Sequence, residues 1–205
     1  MAALTKTASS QSGIKEGTAI LLIEFQKTWT EKGIFYKLIK KEYLSRNVLG
    51  NTVGLITAAR EKGIKIIQAP LILDKEDRER YKETPFPARL LKRFTKGTWK
   101  AEFTDGVYNT TDIVVKGRCG FDACEGSDLE QILKESGIKN VYVCGFTTDH
   151  CVKATMNSLI DKGFNCILVS DCTAAKNNKL QKKIEKEFKI ISSKQLIKEI
   201  GKSTE

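Results

Sequence analysis

Four reactive side chains stand at or just beyond the ends of predicted strands. Glu24 closes one apolar run, Lys116 closes a second with Arg118 just beyond it, and Cys151 follows a third. Each residue alone fits an ordinary role, as a strand-end acid, a surface cation or a buried thiol. Together they could form an activated nucleophile, because a carboxylate can take a thiol proton and a cation can stabilise the charges that result.

Cys151 lies in the first turn of a helix predicted over residues 149–162, with Thr148 or Asp149 as its N-cap. A helix N-terminus lowers the pKa of a thiol, and its free N–H groups can bind an oxyanion. Glu24 opposes the thiolate when it is itself ionised, so the acid and the thiol could share one proton. We therefore expect apparent pKa values that belong to the pair.

An alternation of strands and helices must position these residues. Apolar runs of strand length alternate with segments of helical spacing, a pattern typical of a parallel sheet covered by helices on both faces. In such sheets the functional site lies beyond the carboxyl ends of the strands, where Glu24, Lys116 and Cys151 fall. The predicted strands are residues 18–24, 64–70, 112–116, 140–145, 166–171 and 188–192, and the predicted helices are residues 49–62, 129–136, 149–162 and 193–200.

Charge and hydropathy limit the partners of the protein. The 205 residues carry a net charge of +10, with basic side chains concentrated in residues 86–100 and 176–202. These segments could attract small anions or, as an alternative, nucleic acid. No aromatic stacking platform accompanies them, so nucleic-acid binding is not expected. The longest apolar run, residues 19–23, is too short to span a bilayer, and no membrane partner is expected.

The length suits a single domain, predicted over residues 17–201 between a flexible tail at residues 1–16 and a short tail at residues 202–205. Six cysteines occur without an apolar leader segment, which favours a reducing, cytoplasmic location with all six thiols reduced. Cofactor motifs are missing: no glycine-rich turn follows the first strand, no P-loop occurs, and a single histidine, His150, cannot form a multi-histidine zinc site. We expect neither a cofactor nor a metal.

The chain resembles the isochorismatase-like cysteine hydrolase family, which includes nicotinamidases, ureido and carbamoyl amidohydrolases, and isochorismatases. The resemblance is most specific in VCGFTTDHCVKAT at residues 143–155 and covers most of residues 18–200. It implies a single-domain three-layer α/β/α sandwich around a six-stranded parallel, Rossmann-like sheet. Further matches are LLIEFQ at residues 21–26, KGTW at residues 96–99, DIVVKGR at residues 112–118 and GSDLEQIL at residues 126–133.

The usual Asp–Lys–Cys triad of the family maps onto this sequence with two departures. Glu24 stands in place of the aspartate and is one methylene longer. The position of the family lysine is occupied by Arg118 when residues are counted back without gaps from GSDL. It is occupied by Lys116 when residues are counted along the strand from Asp112. Because arginine does not readily give up a proton, the interpretation favours Lys116, with Cys151 as the nucleophile.

The resemblance also implies a cis peptide bond between Phe146 and Thr147, and an oxyanion hole made by the backbone N–H groups of Thr147 and Cys151. Metal-dependent nicotinamidases of the family carry histidines after the second strand. Residues 69–74 of this chain contain none, which again predicts no metal.

The sequence thus predicts a metal-independent cysteine hydrolase of a small amide or ureide, in which Glu24 deprotonates Cys151 and a thioester forms. Two alternatives remain: isochorismate-type vinyl-ether hydrolysis, which needs no covalent sulfur, and a weakly catalytic binding protein of the same fold. The irregular residues 73–100 could set specificity. The segment of residues 86–99, with Phe94 and Trp99, could dock on a neighbouring subunit, and a homo-oligomer is expected.

Overall fold

A computed structural model describes residue 14, residues 16–74 and residues 94–202. All the predicted strands and helices fall within these ranges. The predicted N-terminal tail lies outside them except for two residues, as do the last three residues of the chain. Residues 75–93, which form most of the irregular segment and carry part of the first basic cluster, also lie outside the described residues.

Within the described residues, six parallel strands form one sheet in the order β3-β2-β1-β4-β5-β6. This confirms the predicted single-domain α/β fold with a six-stranded parallel sheet. The strand order reverses between β1 and β4, which is where such sheets bind ligands. The strands are β1 (Thr18–Ile23), β2 (Lys65–Ala69), β3 (Ile113–Val114), β4 (Asn140–Phe146), β5 (Asn165–Ala174) and β6 (Ile190–Ile191).

The helices of the described chain include three that the sequence did not predict. They are α1 (Lys27–Thr30), α2 (Ile34–Ser45), α3 (Val48–Glu61), α4 (Leu129–Glu135), α5 (Lys153–Asp161), α6 (Asn178–Glu185) and α7 (Ser193–Lys202), and a π-helical turn (Thr148–Val152) precedes α5. The three missed are α1, α2 and α6. The last helix includes Lys202, which the predicted boundary had placed in the tail.

Both faces of the sheet are buried because side chains alternate along each strand. Ile20 and Leu22 of β1 enter one apolar layer, which contains buried side chains of α2, α3 and α7. Leu21 and Ile23 enter the opposite layer, which contains buried side chains of α4 and α5. All six residues of β1 are buried, which explains its uninterrupted apolar sequence and the three-layer arrangement.

All six cysteines are free thiols, as the sequence predicted. Cys144 in β4 and Cys166 in β5 are buried. Burial raises the pKa of the Cys166 thiol to about 12, so this side chain behaves as a small neutral hydrophobe. Among the helices of the described chain, none combines the length and apolarity needed to cross a membrane.

Candidate active site

The ends of β1 and β4 meet at the point where the strand order reverses. Ile23 at the end of β1 pairs with Gly145 of β4, so the residues that follow the two strands are neighbours. Gly145 has φ +124°, and a Cβ atom built on it would lie 2.0 Å from the carbonyl oxygen of Ile23. Only glycine allows this approach, which brings the segment leading to Cys151 beside Glu24.

Glu24 is fully buried and held by two donors. Arg118 Nη2 donates to Glu24 Oε1 at 2.6 Å, and Trp29 Nε1 of α1 donates to Glu24 Oε2 at 2.9 Å. The backbone turns sharply here: Glu24 has φ 55°, which is uncommon for a residue other than glycine, and the N–H of Gln26 donates to the Glu24 carbonyl at 2.6 Å. The turn ends β1 at the position where the carboxylate meets Trp29 of α1.

Arg118 is buried and connects the ends of β1 and β2 with the loop at residues 120–121. Its Nη1 donates to the carbonyl of Ala69 at the end of β2 (2.8 Å), and its Nε donates to the carbonyl of Gly120 (3.1 Å). Nη2 donates to Phe121 O (2.8 Å) as well as to Glu24. Burial acts to lower the pKa of Arg118, but the interactions with Glu24 and Cys151 together outweigh it and the pKa is raised. The guanidinium is therefore permanently charged.

The prediction that Lys116 lies beside Glu24 is wrong, and its alternative, Arg118, occupies that place. Lys116 is exposed, and its backbone N–H donates to Asp128 Oδ1 at 2.8 Å. The strand β3 ends at Val114, and the chain turns at Gly117 with φ 83°. Counting along an extended strand therefore gives the wrong position for the cation of the triad. Counting back from GSDL without gaps gives Arg118, the buried cation.

Cys151 lies in the π-helical turn, where the N–H of Val152 donates to Thr147 O at 3.2 Å. The N-cap is Thr147, so the predicted N-cap at Thr148 or Asp149 is wrong. Thr148 instead links the turn to α6, because its hydroxyl donates to Gln181 Oε1 at 2.8 Å. The peptide bond between Phe146 and Thr147, where the resemblance implies a cis bond, is cis.

The Cys151 thiol is neutral at physiological pH. Burial raises its pKa well above the ordinary value, the charge of Glu24 raises it further, and Arg118 lowers it by less. The expected lowering by a helix N-terminus is therefore outweighed. A resting site with the proton on sulfur contains one negative and one positive side chain, and it avoids a second anion in a buried place.

Alkylation of Cys151 is accordingly expected to be slow at pH 7 and to accelerate about tenfold per pH unit in the alkaline range, because the thiolate is the reacting form. Peptide mass spectrometry after timed exposure to iodoacetamide measures this rate. Cys124, a partly exposed thiol whose pKa is raised to about 12, provides an internal reference. Rapid, pH-independent and selective alkylation of Cys151 between pH 6 and 7 would contradict the assignment of a neutral thiol.

An apolar cavity of about 180 Å³ opens beside Cys151. Trp29 forms one wall and stacks on Phe35, with ring centroids 4.6 Å apart. Phe94 also lines the cavity and is only 2% exposed, so the prediction that Phe94 docks on another subunit is wrong. The described lining residues are Glu24, Trp29, Phe35, Leu38, Leu71, Phe94, Phe121, Thr147, His150 and Cys151.

Sequence reasoning missed the aromatic wall and the Trp29 hydrogen bond. Trp29 follows Glu24 closely in the sequence, but nothing in that spacing shows that α1 folds the indole N–H back onto the carboxylate. Phe121 belongs to the loop that also supplies carbonyl groups to Arg118. Thr147 and Cys151, whose backbone N–H groups the resemblance assigns to an oxyanion hole, both line the cavity. That role stays a prediction.

The described residues contain no group of three or more His, Cys, Asp and Glu side chains arranged to hold a metal ion. The arrangement that they do contain is a buried acid, a fixed cation and a neutral thiol at the mouth of an apolar cavity. An α/β sandwich with this site at its strand reversal is a candidate hydrolase of the cysteine-dependent class.

The chain belongs to the isochorismatase family: the family model described as "Isochorismatase domain" matches residues 18–194. A protein of Arabidopsis thaliana named "probable inactive nicotinamidase" is 25% identical over 162 residues, which are 77% of this chain and 81% of that protein. The uncharacterized isochorismatase family protein YrdC of Bacillus subtilis is 44% identical over 50 residues, covering 24% of this chain and 27% of that protein.

Solved structures share the fold at low sequence identity. A cysteine hydrolase from Pseudomonas syringae pv. phaseolicola has a TM-score of 0.78 at 17% identity, covering 98% of this chain and 100% of its own. An N-carbamoylsarcosine amidase from Thermoplasma acidophilum has a TM-score of 0.69 at 18% identity, covering 86% and 96%. These similarities establish the isochorismatase-like fold over nearly the whole chain.

Proposed function

We propose that the protein is a metal-independent cysteine hydrolase that cleaves the C–N bond of a small amide or ureide through a covalent thioester. The observation that carries the proposal is the buried carboxylate of Glu24, which is held by Arg118 and acts on the pKa of the Cys151 thiol at the wall of an apolar cavity. A base beside a thiol is the arrangement that nucleophilic catalysis requires.

The first half-reaction moves one proton and forms one covalent bond. Sulfur attacks the substrate carbonyl as its proton passes to Glu24, so no free thiolate accumulates. The backbone N–H groups of Thr147 and Cys151 stabilise the negative oxygen of the tetrahedral intermediate. The C–N bond then breaks, and the leaving nitrogen takes the proton from Glu24. The products at this stage are ammonia or an amine and an acyl group on Cys151.

In the second half-reaction Glu24 again acts first as a base and then as an acid. Glu24 takes a proton from water as the water attacks the thioester, and it returns that proton to sulfur as the C–S bond breaks. Arg118 exchanges no proton in this scheme. Its role is to neutralise Glu24 whenever the carboxylate is ionised, and Trp29 fixes the orientation of the same group.

The proposal predicts an acyl-enzyme during turnover. Mixing the protein with benzamide, isobutyramide and phenylurea in separate reactions should release ammonia or an amine from at least one, and intact-protein mass spectrometry after acid quench should find the matching acyl mass on Cys151. Ammonia release without any adduct, even when hydroxylamine is tested as a competing nucleophile, contradicts covalent catalysis. If neither an adduct nor a product forms with these three compounds or with isochorismate, the result favours the weakly catalytic binding protein instead.

A further inference from the structure

The walls of the cavity are unusually poor in polar groups for a site that handles charge. Trp29, Phe35 and Phe94 line one part of it with aromatic rings, while Leu38 and Leu71 provide aliphatic surface. Glu24, Thr147, His150 and Cys151 are the polar members of the described lining, and three of them have roles in the proposed reaction. The substrate atoms that do not react therefore meet apolar surface.

The size of the cavity limits the acyl group. An enclosed apolar cavity of roughly 150 Å³ accepts benzene, and the cavity here measures about 180 Å³. A single six-membered ring or a branched chain of comparable volume fills that space. Burying such a group removes apolar surface from water, so a small amide gains most of its affinity from its apolar acyl group.

Arg118, the buried cation that pairs with Glu24, has little capacity left for a substrate anion. Four of its N–H donations go to protein acceptors: Ala69 O, Gly120 O, Phe121 O and Glu24 Oε1. Cys151 also interacts electrostatically with it. Its side chain is 1% exposed. A substrate carboxylate would have to displace Glu24 to pair with it, which would remove the base.

His150 offers little compensation for a substrate anion. Its side chain is 63% exposed at the mouth of the cavity, and its Nδ1 lies 3.2 Å from Asp149 Oδ2, with the Asp149 side chain 9% exposed. Any positive charge on His150 is thus balanced by the adjacent carboxylate. The other oxygen of this carboxylate, Asp149 Oδ1, is buried without a hydrogen-bond partner among the described residues.

We infer that this active site selects uncharged substrates with an apolar acyl group of single-ring size and rejects substrates that carry a carboxylate. The inference rests on the proposed function and specifies its substrate class. Among the described lining residues, a carboxylate in this cavity would find no free cation to pair with. It would also be desolvated beside the negative charge of Glu24, and both effects are costly. The positive net charge of the chain does not change this, since the cavity lining contains no lysine or arginine among its described residues.

A matched pair of amides isolates charge from shape. In 4-methylpentanamide an isopropyl group stands where succinamate has a carboxylate, and the rest of the two molecules is the same. Calorimetric titration of the Cys151→Ala protein should show binding of 4-methylpentanamide at least about 100-fold tighter than binding of succinamate. Because this variant cannot acylate, the comparison measures recognition alone. The same ratio is expected in kcat/KM of the wild-type protein.

An added cation should reverse part of the selectivity. Leu38 lines the cavity and is 40% exposed, so a lysine there can reach the mouth, whereas Leu44 of the same helix is 55% exposed and is not among the lining residues. In the Cys151→Ala background, Leu38→Lys should narrow the affinity ratio by at least about tenfold. Leu44→Lys, which adds the same charge to α2, should leave the ratio unchanged.

The outcomes separate this inference from the proposed function. Equal binding of the two amides, or stronger binding of succinamate, overturns the substrate class even if wild-type protein hydrolyses amides. Failure of both amides to bind also overturns it. Selective binding of 4-methylpentanamide with no turnover supports the substrate class and counts against the proposed hydrolysis. An equal effect of Leu38→Lys and Leu44→Lys would show that general charge, not the cavity wall, sets the selectivity, and would overturn the inference.

Discussion

Replacing Cys151 with serine is expected to lower amide hydrolysis by at least about 10³-fold while leaving the fold intact. A hydroxyl is far harder to deprotonate than a thiol, so the proton transfer to Glu24 that starts the reaction becomes much less favourable. The serine hydroxyl is close in size to the thiol and can donate to Glu24, so little stability is lost. Ammonia release, with thermal unfolding measured in parallel, tests both parts.

Cys124→Ser is the matched control for Cys151→Ser. Cys124 is partly buried and lies outside the described lining of the cavity, so its replacement should leave turnover unchanged. The vinyl-ether alternative makes the opposite prediction for the nucleophile variants, because that reaction forms no bond to sulfur. Full turnover of any substrate by Cys151→Ser and Cys151→Ala would therefore move the assignment to a non-covalent mechanism.

The sheet could be predicted from the sequence because its strands are buried on both faces. Such strands read as continuous apolar runs, as in β1, where all six residues are buried. The helix α2 could not be predicted in the same way. Ile39 and Tyr43 face the core, but Ile34, Leu38 and Leu44 are exposed on the same helix, so apolar residues are not confined to one side and the periodicity is blurred.

The site was predictable as far as strand ends determine it. Glu24 and Cys151 follow adjacent strands and meet, as the rule for parallel sheets requires. The prediction for Lys116 assumed that β3 continues to residue 116. The strand ends at Val114 and the chain turns at Gly117, so Arg118 and not Lys116 lies beside Glu24. The raised pKa of Cys151 was not predictable either, since it comes first from burial, and that burial depends on cavity walls contributed by distant parts of the chain.

Replacing Arg118 with methionine is expected to destabilise the protein by about 3–5 kcal/mol, because it leaves Glu24 as an unpaired buried carboxylate. The two side chains are each 1% exposed, and their Nη2–Oε1 distance is 2.6 Å, so solvent does little to screen the loss. The carbonyls of Ala69, Gly120 and Phe121 lose a donor as well. Urea unfolding at pH 7 measures the change, and amide hydrolysis should fall with it.

Two further variants show whether the loss comes from the ion pair. Lys116→Ala removes an exposed cation two residues away and should change stability by no more than about 0.5 kcal/mol, with turnover unchanged. In Glu24→Met combined with Arg118→Met, the destabilisation should be smaller than the sum of the single changes by about 2–3 kcal/mol, because neither charge is then buried alone. If the two changes are additive, the pair contributes no coupling to the fold. If Lys116→Ala loses hydrolysis while Arg118→Met is as stable as the wild-type protein, then Lys116 and not Arg118 is the cation of the site.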